Sequence, residues 1–404
     1  MSNLQKFIDL NFYRFFILAL ILCALFYNII RFKVADELLS LLLIGFYFFV
    51  VSKKREWPVN KFFAITLSCF LFYTCYSFFI ASNSTVAIFS DLLIQLKPYL
   101  AFFIVYELKP NMSLASILSL KKISVYFWLL LFPIGILGAY DLSFYKAIIE
   151  HPTNYGAAMV ALSLLYLYCS NYSLKDKIIF IVMLSFGLLS GRSKFYGFFV
   201  LASFFVLYFD NIDKMKLNLK TSLFCLIMLL AMFLVAKEKL ELYFIESLTG
   251  EEKDLMARYV LYATSILIFV DYFPFGSGLA SFATHTSGLY YSKIYSEYGI
   301  DNVWGLERTG WDFIADTYYP SLAQFGLVGV LLFILFWIYI IRKQLSYVSI
   351  HKDMKYIIVS VLIIGFILIE NVADAAFTSN RGFFMMLFLG LILSNSKEKA
   401  IDSK

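Results

Sequence analysis

The chain has 404 residues, 61% of them hydrophobic and 20% aromatic, with 15% charged residues and a formal net charge of +6. A water-soluble globule of this length lacks the interior volume to hide so much apolar surface, so the composition excludes a soluble domain and points to a chain dissolved in lipid. The positive surplus then reads as membrane topology and not as nucleic-acid binding.

Crossing about 30 Å of hydrocarbon takes roughly 20 apolar residues in a helix rising about 1.5 Å per residue. Stretches near that length are, in chain order, Phe12 to Ile30, Glu37 to Val51, Phe62 to Ile80, Ile88 to Tyr106, Ile123 to Ala139, Asn154 to Ser170, Ile178 to Ser190, Ser193 to Phe209, Leu219 to Ala236, Pro320 to Ile341, Tyr356 to Glu370 and Gly382 to Ser394. About twelve transmembrane helices in one integral membrane domain over 1–404 make an all-α polytopic protein. Its connections are short except one, the loop 237–319 between the ninth and tenth stretches. Lysine and arginine concentrate in the segments that share a side with the N-terminus, and because positive charge resists translocation, both termini are expected in the cytoplasm. The long loop then lies on the outer side. One turn breaks the pattern: Gly191-Arg192-Ser193-Lys194 places two cations outside.

The first stretch has no small-residue cleavage site and is followed by Arg31 and Lys33, so it is expected to stay as a span. Cys23, Cys69, Cys75, Cys169 and Cys225 all fall in apolar stretches, which predicts packing roles and no disulfide framework. Lys97, inside the fourth stretch, is an ionisable group at membrane depth and should face a polar cavity or a partner. No cytoplasmic segment carries a strand, Gly-rich turn and helix that would hold a nucleotide. Energy for a reaction must therefore arrive with a substrate already activated on the outer face, which points to lipid-linked donors. No half-chain repeat of the kind that marks secondary transporters is visible.

Within the long loop, Leu255 to Val270 is apolar and follows Glu251-Glu252-Lys253-Asp254, which predicts an interfacial helix ended by Pro274 and the Gly276-Ser277-Gly278 turn. From Thr284 to Tyr319 the loop is rich in Tyr, Trp, Ser, Asp and Glu. That mixture suits carbohydrate, since aromatic faces stack on sugar C–H surfaces while carboxylates bind hydroxyls; it equally suits an interfacial aromatic belt.

Four features converge on the outer face. Arg192 and Lys194 could hold a pyrophosphate at head-group level, or snorkel to lipid phosphates. Arg258, one turn into the interfacial helix, calls for an anion, and the glycine turn after it could bring backbone N–H groups to a phosphate or simply end the helix. Asp316, at the loop's end before Thr317, Tyr318, Tyr319 and Pro320, is either a helix cap or a general base at the membrane surface. Two further elements, Glu150 to Gly156 with His151 and Asn154, and Asp374 to Arg381, could line the same cavity; Arg381 could instead neutralise Asp374 or Glu370. The three histidines are too scattered for a zinc set, and Glu297, Asp301, Glu307, Asp312 and Asp316 lack calcium or magnesium spacing, so neither a metal nor a cofactor is expected.

The order of Arg192, Arg258, Pro274-Phe275-Gly276-Ser277-Gly278 and Gly326-Leu327-Val328-Gly329 resembles that of the bacterial O-antigen ligase and polymerase superfamily. The likeness covers roughly Glu150 to Gly329 and the overall topology. Where ligases of that superfamily place a His-Asn pair before the Gly-Leu-x-Gly helix, this chain has Asp316-Thr317, which favours the polymerase branch. The resemblance implies a GT-C-like glycosyltransferase in the bacterial inner membrane, with its active face periplasmic, joining repeat units carried on undecaprenyl pyrophosphate. Arg192 and Arg258 would stabilise the leaving pyrophosphate and Asp316 would deprotonate the acceptor. Lys194, His151, Asn154, Tyr318, Tyr319 and Arg381 would bind substrate. Expected partners are the lipid-linked donor and acceptor, membrane lipid and a chain-length regulator, with no nucleic acid. A ligase acting on lipid A core and a transporter of lipid-linked oligosaccharide are the alternatives.

Overall fold

The computed structural model of the protein describes residues 3–26, 34–54, 60–209, 253–351 and 353–402, with positions 29, 31 and 32. Those residues are almost entirely helical, and no strand occurs among them. Among the described residues, six helices are long and apolar enough to cross a membrane: Asn3–Leu25, Ala35–Lys54, Lys61–Phe79, Thr85–Leu108, Leu114–Tyr140 and Tyr319–Val348. Ser193–Tyr208 and Asn380–Ser394 are shorter apolar helices. The sixth, seventh and eleventh expected stretches fall on the helices Pro152–Tyr168, Leu174–Ser185 and Met354–Glu370. The expected ninth span, Leu219 to Ala236, and the first part of the long loop lie outside the described residues.

Helix ends depart from the apolar runs for a local reason. The fifth helix starts at Leu114, well before Ile123, because Ser113 accepts the Ser116 amide and closes an N-cap, so the helix carries Lys121 and Lys122 within its first turns. The third and fourth start on Asn60 and Ser84 in the same way. The first begins at Asn3, not Phe12, and its last turn is a π-helix, Leu20–Leu25. A run of apolar residues marks where lipid is, whereas caps mark where the backbone turns. The two coincide only when a cap sits at the interface.

We number the helices used below α2 (Ala35–Lys54), α3 (Lys61–Phe79), α4 (Thr85–Leu108), α5 (Leu114–Tyr140), α6 (Leu142–Ile149), α7 (Pro152–Tyr168), α8 (Leu174–Ser185), α9 (Ser193–Tyr208), α10 (Lys253–Asp271), α11 (His285–Leu289), α12 (Ile294–Glu297), α13 (Gly326–His351), α14 (Met354–Glu370) and α15 (Asn380–Asp402). In the bundle, α15 lies along α4. The backbones approach so closely at Gly390 that a Cβ there would stand 2.6 Å from the Phe102 carbonyl oxygen. Small residues drive helix association in lipid, where apolar burial alone gains little.

The described part of the long loop is a folded cap with its own core, in which Leu261, Ile268, Phe282, Tyr295, Leu306 and Ile314 are buried. As expected, an apolar helix opens it and ends before Pro274; α10 packs on the 3-10 turn Tyr319–Phe325 that leads into α13. The glycine turn does not offer its amides to a phosphate. Gly276 donates to the Tyr272 carbonyl, Ser277 to Ala323, Gly278 to Gln324, Leu279 to Ser77 Oγ and Ala280 to Asp91 Oδ2. With those N–H groups spent inside the protein, the turn is a clasp between the cap, α3, α4 and the 3-10 turn at the head of α13. Gly276 has φ +79°, and a Cβ there would strike Ala323 O and Gly326 N. Gly276→Ala should therefore destabilise the protein by about 2 kcal/mol or more, read as a lowered thermal midpoint in detergent.

Candidate functional site

The cap's closing segment and three helix ends meet in one cluster of charges. Arg258, on α10, donates its Nε to Asp316 Oδ2 at 2.7 Å, and a terminal guanidinium nitrogen contacts the same oxygen. The pair uses Oδ2 alone. Phe313 lies under the guanidinium, with 5.6 Å between its ring centroid and the guanidinium carbon, so the fork is held from a second side. Burial pushes the Asp316 carboxyl above its ordinary range, Arg258 opposes that shift, and Asp374 and Lys194 lie close enough to act on it as well.

Lys194 is the second residue of α9, at its N-terminal end. Its ammonium donates to Glu370 Oε2 at 2.9 Å and to the Ala373 carbonyl at 3.2 Å. Arg381, at the start of α15, donates to Asp374 Oδ2 at 2.6 Å and stands 4.0 Å from the same Glu370 oxygen. Burial alone would raise the Asp374 carboxyl, but Arg381 and Lys194 outweigh it and hold it below the usual carboxylate range. Thus the neutralisation of Asp374 and Glu370 foreseen as the bland role for Arg381 does occur, and it occurs inside the cluster.

Arg192 completes the arrangement. Its guanidinium lies 2.7 Å from His151 Nε2, and because arginine only donates, Nε2 accepts and the ring is neutral. Desolvation, with Arg192 beside it, pushes the His151 imidazole down to about 4; Asp374 is the opposing influence, and Arg381 and Lys194 add to the lowering. Those neighbours show that the α7 element and the 374–381 element flank the same space. Arg192, Lys194, Arg258, Arg381, His151 and Asp316 therefore belong to one electrostatic cluster, although Arg192 reaches the Arg258–Asp316 pair only through Lys194 and Asp374.

Three of the other expected residues point elsewhere. Asn154 donates to the Ile149 carbonyl at 3.0 Å, bracing the entry to α7. Tyr318 is buried against Phe333 and Phe377. The Tyr319 hydroxyl donates to the Leu368 carbonyl at 2.6 Å and ties the 3-10 turn to α14.

Two partners in the cluster's surroundings are not visible in the sequence. Glu370 closes an apolar stretch, and a carboxylate at that depth signals a partner; besides Arg381, the structure supplies Lys194. The other case is the Lys97 set. Lys97 pairs with Asp36 and, at 2.8 Å, with Glu37, both in the first turn of α2, while the Asp36 amide donates to Asn380 Oδ1 at 3.1 Å. Asn380 adjoins Arg381, so the Lys97 set abuts the cation cluster through α15. Lys97 and Asp36 are closed off, whereas the Glu37 side chain keeps 44% exposure. His285 is within electrostatic reach of Glu37, and its ring stands edge-on to Trp311 at 5.1 Å. Among the described residues no group of His, Cys, Asp and Glu could hold a metal.

No protein-family model matches the chain, and no curated protein matches it. The chemistry of the cluster must be read from its geometry. Among the described residues, the cations Arg192, Lys194, Arg258 and Arg381 gather around the carboxylates Asp316, Glu370 and Asp374. A dianionic leaving group fits such a place, since the arginine forks are preorganised and need little reorientation when charge develops.

Proposed function

We propose that the protein is a membrane glycosyltransferase that polymerises lipid-linked glycan repeat units on the outer face of a bacterial inner membrane, with about twelve spans in a GT-C-like arrangement. The observation that carries this reading is the Arg258–Asp316 pair set among Arg192, Lys194 and Arg381. A base and several phosphate-seeking cations share one polar mouth.

In the reaction, the bond between the donor's anomeric carbon and its pyrophosphate oxygen breaks, and the acceptor sugar's hydroxyl oxygen bonds to that carbon. The hydroxyl proton passes to Asp316, whose Oδ1 is not engaged by Arg258. The pyrophosphate departs with the bonding pair and the arginines stabilise it, so no strong general acid is required. The donor is the growing chain on undecaprenyl pyrophosphate, and the acceptor is the non-reducing end of another lipid-linked unit.

The pH dependence follows from the sign of the Asp316 shift. The base works ionised, and burial raises its protonation range, so turnover should fall on acidification at a pH above the ordinary carboxylate range. His151, with its ring near 4, stays neutral from pH 5 to 8 and should add no second limb there. A pH–rate profile of the purified protein checks both; a limb near the usual histidine range that His151→Gln removes contradicts the assignment.

The deciding genetic test is the glycan banding of a strain lacking the protein. A polymerase predicts surface glycan capped by one repeat unit. Long lipid-linked chains left unattached would mark a ligase, and repeat units held on the inner leaflet a transporter.

A further inference from the structure

A second kind of site runs along the bundle from Tyr318 and Leu322, close in sequence to Asp316, to a basic mouth at Arg342 and Lys343. Between α3 and α13 runs an apolar crevice of about 240 Å³, walled by Ile65, Cys69, Phe70, Leu332 and Phe336 and closed at depth by Tyr73, Gln95 and Tyr99. Phe62 and Leu335 belong both to this crevice and to a pocket at its mouth formed with Tyr339, Arg342, Lys343 and Ser346. Crevice and pocket are therefore neighbours. Among the described residues that line the pocket there are two cations and no carboxylate. The Lys343 ammonium stands 5.8 Å from the Tyr339 ring centroid, while Tyr339 stacks on Phe62 at 4.0 Å and accepts the Asn60 amide at 2.9 Å. The basic mouth is thus anchored to the head of α3.

We propose that this crevice binds one anionic glycerophospholipid, with its phosphate between Arg342 and Lys343 and an acyl chain running inward over Cys69 and Phe70. Charge complementarity and length both select that occupant. From Phe62 to Tyr73 the crevice is roughly 16 Å deep at about 1.5 Å per residue, close to half of the roughly 30 Å hydrocarbon core. That depth matches one leaflet and therefore a diacyl lipid of the leaflet on the Arg342 side. Arg342 lies roughly 24 Å along α13 from Gly326, where the cap begins, so this phosphate is not the one handled by Arg192 and Arg258. A basic pocket between spans gathers anionic head groups by the same charge attraction that draws polybasic segments to membranes.

The full-length protein, stripped with detergent and titrated with dioleoyl phosphatidylglycerol or dioleoyl phosphatidylcholine, should retain one phosphatidylglycerol, detected by native mass spectrometry. Its affinity should exceed that for phosphatidylcholine by at least about tenfold. The double variant Arg342→Gln/Lys343→Gln should erase that preference. Cys69→Trp, which fills the crevice and keeps both cations, should lose retention altogether; the surface double variant decides the matter alone if the tryptophan variant does not fold. Equal retention of the two lipids, tighter binding of a polyprenyl phosphate than of phosphatidylglycerol, or an unchanged preference in the double variant would each overturn the proposal. The outcome is independent of glycan polymerisation, which is scored separately by banding.

Discussion

Arg258→Ala should leave cells with single repeat units in place of long-chain glycan while the protein still inserts in the membrane. The guanidinium binds Asp316 through two nitrogens and rests on Phe313, so alanine removes a preorganised fork and frees the base from its positioning partner. Loss of one such donor in a shielded site typically costs about a hundred- to a thousandfold in turnover. Arg258→Lys retains charge without the fork and should fall between the two. Asp316→Asn should likewise block chain growth, because the carboxamide cannot take the acceptor's proton. Lys293→Ala, which breaks only a surface pair with Glu297, should leave the ladder normal. A normal ladder in Arg258→Ala would remove the pyrophosphate role assigned to this residue.

The largest effect on stability is expected at Lys97→Met. Lys97 and Asp36 are both buried and bridge α4 to α2, with Glu37 as a second acid. Methionine preserves the shape of the stem but leaves Asp36 buried without its cation, and breaking one side of such a pair costs about 3–5 kcal/mol. The loss should appear as a markedly lower unfolding midpoint in detergent. Adding Asp36→Asn to Lys97→Met should recover much of it, since the uncompensated charge is then gone. If the single variant unfolds like the wild-type protein, the pair does not hold α2 to α4.

These two sites differ in how far the sequence revealed them. Arg258 and Asp316 stand out in the sequence because each is a charged residue in an apolar or aromatic setting. Lys97 was equally conspicuous, yet its partners lie some sixty positions earlier, and nothing local to either segment specifies that α2 and α4 are neighbours. The glycine turn shows the opposite problem. Its composition fits a phosphate nest or a clasp equally well, and acceptors distant in sequence, the Ala323 and Gln324 carbonyls of the 3-10 turn with Ser77 and Asp91, decide for the clasp. Tyr318 and Tyr319 adjoin Asp316 in sequence, but in the fold Tyr318 packs on Phe333 and Phe377 and the Tyr319 hydroxyl donates to the Leu368 carbonyl. Apolar length reveals the helices, six of them among the described residues long and apolar enough to cross a membrane. It does not reveal their ends, because Asn60, Ser84 and Ser113 set them from within polar connections.

The charge cluster's role as a glycan-joining centre can be tested without a cell. Purified protein in liposomes, supplied only with undecaprenyl-pyrophosphate-linked repeat units and no nucleotide, should lengthen the glycan and release one undecaprenyl pyrophosphate per linkage formed, and Asp316→Asn protein should do neither. Failure of the wild-type protein to lengthen the chain, or undiminished lengthening by the asparagine variant, would contradict the account.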